Sequence, residues 1–151
     1  MEKDSRPILE YHTRQSVITD TGKYASLFDD LPHGIQSLVK IVQGLFVSLP
    51  WEDAYNLAIP RERHREIHLR TVPEMLKRIL ELDPLSLIVK RLPEKRKVSL
   101  CRDFAVLLVS MLRHQNIPAR VRVGFAGYYR AETPRYWDHR IAEYWNEELS
   151  R

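Results

Sequence analysis

The chain has 151 residues, with 24 basic and 20 acidic side chains, a formal net charge of +4 and 44% hydrophobic residues. This composition is typical of a globular protein and excludes a disordered or collagen-like chain. A chain of this length can bury one core, so we predict a single domain over residues 1–151. The arginines of the basic second half are scattered rather than clustered, so we expect no nucleic-acid partner.

The sequence contains no stretch near the ~18 consecutive apolar residues of a membrane span, and its first residues lack the apolar core of a signal peptide. We therefore expect a cytoplasmic protein with no membrane partner. Cys101 is the only cysteine, so no intramolecular disulfide can form, which fits a reducing compartment. The role of this single thiol is the main question that the sequence raises.

Two helices are predicted in the first part of the chain. Apolar residues recur at three- and four-residue spacing after Pro32 and predict an amphipathic helix that is interrupted by Pro50. Its apolar positions are Ile35, Leu38, Val39, Val42, Leu45 and Phe46. Thr71 and Glu74 have the spacing of a capping box and predict a second helix that ends at Asp83.

The last third of the chain predicts one buried helix and two strands. A solvated, charged loop at residues 91–97 leads into residues 101–112, which are apolar on nearly all sides and predict a centrally buried helix. Alternation after Pro118 predicts a half-buried strand, and residues 137–146 predict a second strand. The apolar face of the first strand is Ala119, Val121, Val123 and Phe125; one face of the second is Trp137, His139, Ile141, Glu143 and Trp145. Helices followed by strands indicate an α+β fold.

Cys101 lies at the predicted N-terminus of the buried helix, where backbone N–H groups and the helix dipole favour the thiolate. The same N–H groups can stabilise the oxyanion of a tetrahedral intermediate. A nucleophilic thiol needs a base, and His139 on the predicted second strand can approach the sulfur if that strand packs beside the helix. The alternative is that Cys101 is an inert small hydrophobe and His139 an ordinary strand residue.

An ordered set of short motifs runs from Cys101 to Trp145. The set consists of Cys101, Leu112-Arg113, Ile117-Pro118-Ala119-Arg120, Gly124-Phe125 and His139. It resembles the core of the transglutaminase-like superfamily of cysteine enzymes, and in particular the transglutaminase-like domains of bacterial enzymes. In that family a cysteine opens the central helix, an IPAR-like stretch leads into a strand, and a histidine begins the next strand.

The resemblance implies a cysteine-protease-like α+β fold, in which the helix that starts at Cys101 packs on an antiparallel sheet. Residues from about 1 to 97 would form a helical part and residues from about 98 to 151 a catalytic-core-like part. The resemblance also implies that Cys101 is the nucleophile and His139 its base. They would act on a peptide or other amide through a thioester, by hydrolysis or acyl transfer, with no cofactor and no metal.

The sequence departs from the family pattern in two places. Val98-Ser99-Leu100 lacks the glycine that family members usually carry close before the cysteine. The family completes its triad with an aspartate on the strand after the histidine, and the sequence ends before that position, so the last core strands are predicted to be missing. Asp138 should point away from His139, and Glu143 lies about 13 Å along the strand. A binding or scaffold domain that lacks a complete triad is therefore the alternative function.

Three aromatic residues flank the predicted site, and Tyr128, Tyr136 and Trp137 are candidates for lining a substrate cleft. Arg120 and Arg122 are predicted to pair with carboxylates across the sheet. His64 and His68 have the spacing of one helix face, but a third ligand is not evident, so we favour a solvated helix over a metal site. The open edge of the sheet predicts a homodimer through strand addition.

Overall fold

The computed structural model describes residues 6–127 and 136–149. Across these two ranges the helices are α1 (Arg6–Thr13), α2 (Ile35–Leu45), α3 (Val72–Leu82) and α4 (Cys101–His114). The strands are β1 (Phe46–Ser48), β2 (Lys97–Ser99), β3 (Ala119–Ala126) and β4 (Trp137–Tyr144). Short 3-10 helices occupy Gly22–Phe28, Leu49–Tyr55, Arg61–His68 and Pro93–Lys95. This mixture of helices and small sheets fits the predicted α+β class.

The strands of the described ranges form two separate two-stranded sheets. β1 and β2 pair in parallel, with Phe46 opposite Lys97. β3 and β4 pair antiparallel, with Gly124 opposite His139. The antiparallel pair agrees with the two strands predicted at the end of the chain, although β4 ends at Tyr144 and not at Asn146.

The parallel pair corrects two sequence predictions. The apolar pattern predicts a helix through Phe46, but α2 ends at Leu45 and Phe46 belongs to β1. The charges predict a solvated loop through Lys97, but this residue lies in β2 and is fully buried. The pattern of one short apolar run cannot distinguish helix from strand, and the backbone partners that decide between them lie about fifty residues away in sequence.

α3 agrees with its predicted start signal. The backbone N–H and the hydroxyl of Thr71 both donate to the Glu74 carboxylate, at 2.9 and 2.7 Å. The hydrogen bonds hold the first turn in helical geometry and satisfy an N–H group that would otherwise lack a partner. The apolar stripe that follows is buried; it consists of Val72, Met75, Leu76 and Ile79.

α4 runs through the middle of the described structure and contacts the other three helices together with β2, β3 and β4. Most of its residues from Ala105 to Leu112 are buried. They share one apolar core with side chains of α2 and α3 and with Ala119 of β3. A helix that is apolar on nearly all sides must be covered on nearly all sides, and this packing fixes the position of Cys101 at its first residue.

The β3–β4 hairpin is less buried than the alternation predicts. Ala119 is buried and Val121 packs against the core, but Val123 and Phe125 are 64% and 79% exposed. The apolar face of β3 is therefore covered only at the end nearest α4.

Among the described residues, no helix is long and apolar enough to cross a membrane.

Candidate active site

Cys101 is the first residue of α4 and follows β2 by a single residue, Leu100. Its side chain is a half-buried free thiol that opens into a cavity of about 310 Å³. The walls come from three elements: Val39, Val42 and Gln43 of α2, the first two turns of α4, and residues 139–142 of β4. The thiol therefore lies where the helix, its neighbour and the hairpin meet.

His139 lies on β4 and lines the same cavity as Cys101. Ala142 packs against the core, whereas Glu143 pairs with arginines on the other face of the sheet, so the two faces of β4 are distinguishable. By strand alternation, His139 belongs to the face of Glu143. Four consecutive residues of β4, 139–142, contribute to the wall of the cavity.

Arg140 shares the strand face of Ala142, and its guanidinium interacts with the thiol of Cys101. Its guanidinium forms an ion pair with Asp138, two residues before it on the same face. The hydrogen bond from Asp138 raises the pKa of Arg140; partial burial opposes this, and contact with Cys101 adds to the increase. The guanidinium of Arg140 therefore places a positive charge beside the sulfur.

A buried ion pair holds the chain on either side of Cys101. Lys97 of β2 and Asp103 of α4 are both 0% exposed, and their charged atoms lie 3.2 Å apart. The three N–H groups of the Lys97 ammonium have three acceptors, namely Val98 O, Ser99 Oγ and the Asp103 carboxylate. Burial lowers the pKa of Lys97, and the charge of Asp103 offsets part of this effect.

The Asp103 carboxylate also caps the start of α4. It accepts the backbone N–H of Leu100 at 3.2 Å and a hydrogen bond from the Arg102 guanidinium at 2.7 Å. A carboxylate in the first turn is favourably placed relative to the helix dipole. Asp103 thus ties β2, the residue before Cys101 and the first turn of α4 to one another.

A second buried carboxylate, Glu66, fixes β2 from the opposite side. It accepts the backbone N–H of Val98 at 2.7 Å and forms ion pairs with Arg63 and Arg78, each at 2.8 Å. Burial raises the pKa of Glu66, but the hydrogen bonds from Arg63, Val98 and Arg78 outweigh burial and hold the pKa below its ordinary value. This carboxylate therefore stays ionised in the folded protein at neutral pH.

No sequence motif marks Lys97, Asp103 or Glu66 as part of the site. The available signal was local: Lys97 and Asp103 are opposite charges six residues apart, on either side of Cys101, and charged residues are buried almost only as pairs. Glu66 had no such signal, because its partner strand β2 lies about thirty residues further along the chain. Arg120 and Arg122 do pair with Glu143 across the sheet, at 2.8 and 2.7 Å, which confirms that prediction.

The three aromatic candidates have different outcomes. Tyr136 is 77% and Trp137 48% exposed, and neither lines the cavity at Cys101. Tyr128 lies outside the described residues. The cavity walls next to the thiol are instead formed by Phe104 and aliphatic side chains of α2 and α4.

His64 and His68 lie in a 3-10 helix and not in an α-helix. Because a 3-10 helix has three residues per turn, residues four apart point about 120° apart and do not share a face. His64 lies 3.3 Å from the carbonyl oxygen of Ile59. In the part of the chain that the structure describes, no group of three or more His, Cys, Asp or Glu side chains could hold a metal ion.

Residues 84–149 match the family model described as the transglutaminase-like superfamily. No curated protein and no solved structure matches the chain. The matched segment contains α4 with Cys101 and both strands of the hairpin with His139, whereas the α2 wall of the cavity lies outside it. The match confirms, over residues 84–149, the resemblance that the motifs carry.

Proposed function

We propose that this protein is a cysteine hydrolase or acyltransferase that acts on amide or peptide bonds, with Cys101 as nucleophile and His139 as base. The observation that carries the proposal is that both residues line one cavity, inside the segment that matches the transglutaminase-like superfamily. Thioester chemistry needs a thiol nucleophile and a base, and the proposal assigns these roles to Cys101 at the first residue of a buried helix and to the imidazole of His139.

The reaction would proceed in two steps. The Cys101 thiolate attacks the amide carbonyl carbon, and the oxyanion of the tetrahedral intermediate is stabilised by N–H groups at the start of α4. The C–N bond then breaks, the protonated His139 gives its proton to the leaving amine, and a thioester remains on the sulfur. Water or a second amine, deprotonated by His139, attacks the thioester and releases the thiol together with an acid or a new amide.

Two carboxylates near His139 are engaged elsewhere. Asp138 pairs with Arg140, and Glu143 pairs with Arg120 and Arg122. Loss of the acidic triad member costs about 10⁴ in turnover in a serine protease, because the base is then poorly oriented. This observation favours the second candidate, a binding or scaffold domain of the same fold with little or no turnover.

Alkylation by iodoacetamide distinguishes the two candidates, because only the thiolate reacts. For the enzyme, we expect Cys101 to react near pH 6–7 faster than a free cysteine, and His139→Ala to remove this advantage. The matched control is His114→Ala, at the other end of α4, which should leave the rate unchanged. The enzyme proposal would be contradicted if the wild type reacted no faster than free cysteine, or if His139→Ala reacted as fast as the wild type.

The exposed apolar side chains of the hairpin, including Val123, Phe125 and Ile141, support the pairing of two copies, which we propose as the oligomeric state. Sedimentation at high concentration tests this proposal, and a strictly monomeric profile would contradict it.

A further inference from the structure

The cavity at Cys101 combines apolar walls with a single permanent charge. Apart from the thiol and His139, the described side chains that line it are mostly aliphatic or aromatic, with the neutral amide of Gln43 at the α2 side. Arg140 is the one arginine or lysine among them. A group that enters this cavity therefore meets an apolar surface and one guanidinium, both next to the sulfur.

The guanidinium of Arg140 keeps hydrogen-bonding capacity for a ligand. The Arg140 side chain is 33% exposed and the Asp138 side chain 67% exposed. Only one nitrogen of the guanidinium, Nη1, donates to Asp138. A guanidinium has five N–H donors in a planar fork that fits a carboxylate with two parallel hydrogen bonds. The ion pair with Asp138 thus positions the arginine without occupying the whole fork.

The other arginines near the site are directed to different partners. Arg102, which follows Cys101, donates to Asp103 and to the carbonyl oxygen of Ile67. Arg122 is bound to Glu143 on the opposite face of the hairpin. Arg140, with its partner Asp138, is therefore the charged pair that the cavity brings next to the sulfur.

We propose that Arg140 is a specificity-determining residue that selects acyl donors with a carboxylate close to the reacting carbonyl and an apolar remainder. This inference rests on the proposed function, since it names the substrate class of the same site. The carboxylate would bind N–H groups of the guanidinium that Asp138 does not use, the apolar part would contact the walls from α2 and α4, and the carbonyl carbon would lie at Cys101.

The test compares two alkylating agents of nearly equal size, the anion iodoacetate and the neutral iodoacetamide. Both react only with the thiolate, so the ratio of their rate constants cancels the fraction of thiolate and reports the field at the sulfur. Iodoacetate also carries its carboxylate next to the reacting carbon, as the proposed substrates do. We expect a ratio on the order of three- to fivefold above that of free cysteine at low ionic strength.

Three variants and salt make the outcome specific. Arg140→Gln should return the ratio to that of free cysteine, and Asp138→Asn should raise it. Arg122→Gln removes the same charge from the opposite face and should leave the ratio unchanged. In the wild type, adding salt to about 0.5 M should shrink the ratio, because a partly exposed charge is screened, and this measurement needs no variant to fold.

The inference is overturned if the wild-type ratio equals that of free cysteine, or if Arg140→Gln and Arg122→Gln change it equally. His139→Ala separates this inference from the proposed function. That variant should slow both reagents and preserve their ratio. If His139→Ala slows neither reagent but Arg140→Gln still lowers the ratio, the enzyme proposal fails while the preference for anions at the cavity remains.

Discussion

The two sides of the candidate site are built in different ways. On the side of the nucleophile, β2 and the start of α4 are joined by charged groups removed from solvent, and Lys97 and Asp103 have no exposed surface. On the side of the base, the hairpin carries its ion pairs on the surface, and the pair between Arg122 and Glu143 is largely exposed. The sulfur of Cys101 is thus held by a buried region, whereas the imidazole of His139 is carried by a more exposed one.

This difference indicates which side sets the geometry of the pair. A buried ion pair whose hydrogen bonds are all made leaves few alternative arrangements, because any movement exposes an uncompensated charge to an apolar interior. The buried or partly buried apolar side chains of the hairpin are small, mainly Ala119, Ala126 and Ala142 with Val121, and regions with few large buried side chains open at low free energy. We therefore infer that the distance from Cys101 to His139 varies mainly through movement of β4.

The largest effect is expected from Asp103→Asn. The substitution keeps the shape of the side chain but leaves the Lys97 ammonium without a counter-charge at a fully buried position. Removing one partner of a buried pair costs about 3–5 kcal/mol in the free energy of unfolding. Urea denaturation followed by circular dichroism measures this loss.

The double variant Lys97→Met with Asp103→Leu is the control, because it removes both charges and replaces them with apolar side chains. Such replacements are often neutral or stabilising. We expect the double variant to recover most of the stability that Asp103→Asn loses. A cost below about 1 kcal/mol for Asp103→Asn would show that the pair does not hold the start of α4 as described.

The next largest effect on stability is expected from Glu66→Gln, and this effect depends on pH. Glu66→Gln should lower the free energy of unfolding by about 2–3 kcal/mol at neutral pH, because charge-assisted hydrogen bonds to two arginines and to Val98 are weakened. The pKa of Glu66 is lower in the folded than in the unfolded chain. Its contribution is therefore complete above the ordinary value of 4.5 and is lost as the pH falls through the folded pKa.

The measurement is the difference in stability between wild type and Glu66→Gln as a function of pH. Other carboxylates titrate in both proteins, so the difference isolates Glu66. We expect it to be constant at neutral pH and to shrink on acidification below about pH 4.5. A difference that grows in acid would contradict the assigned direction of the shift.

The sequence predicted the elements that have strong local signals. The capping box at Thr71 and the apolar stripe of α3 are properties of neighbouring residues, and both are present in the structure. β1 and β2 were not predicted, because each is three residues long and exists only through pairing with the other. The solvated loop predicted over residues 91–97 is wrong at Arg91, Arg96 and Lys97, which are all buried. The partners of Lys97, which are Asp103 and Phe46, come from other elements.

The candidate site shows the same limit. Cys101 and His139 were identified from residue type, spacing and family motifs, and the structure places both on one cavity. Arg140 was assigned to the opposite strand face from His139, and its contact with the thiol depends on how the hairpin packs against α4. Alternation gives the face of a strand, but only packing determines which face meets the helix.

The smallest effect is expected on the hairpin. Glu143→Ala removes the carboxylate that pairs with Arg120 and Arg122. Because the pair is largely exposed, the expected loss is about 0.2–1 kcal/mol, several times smaller than that of Asp103→Asn. Urea denaturation in low salt measures it, and added salt should reduce it further. A loss as large as that of Asp103→Asn would show that the hairpin is as firmly held as α4, and the inferred movement of His139 relative to Cys101 would then have no basis.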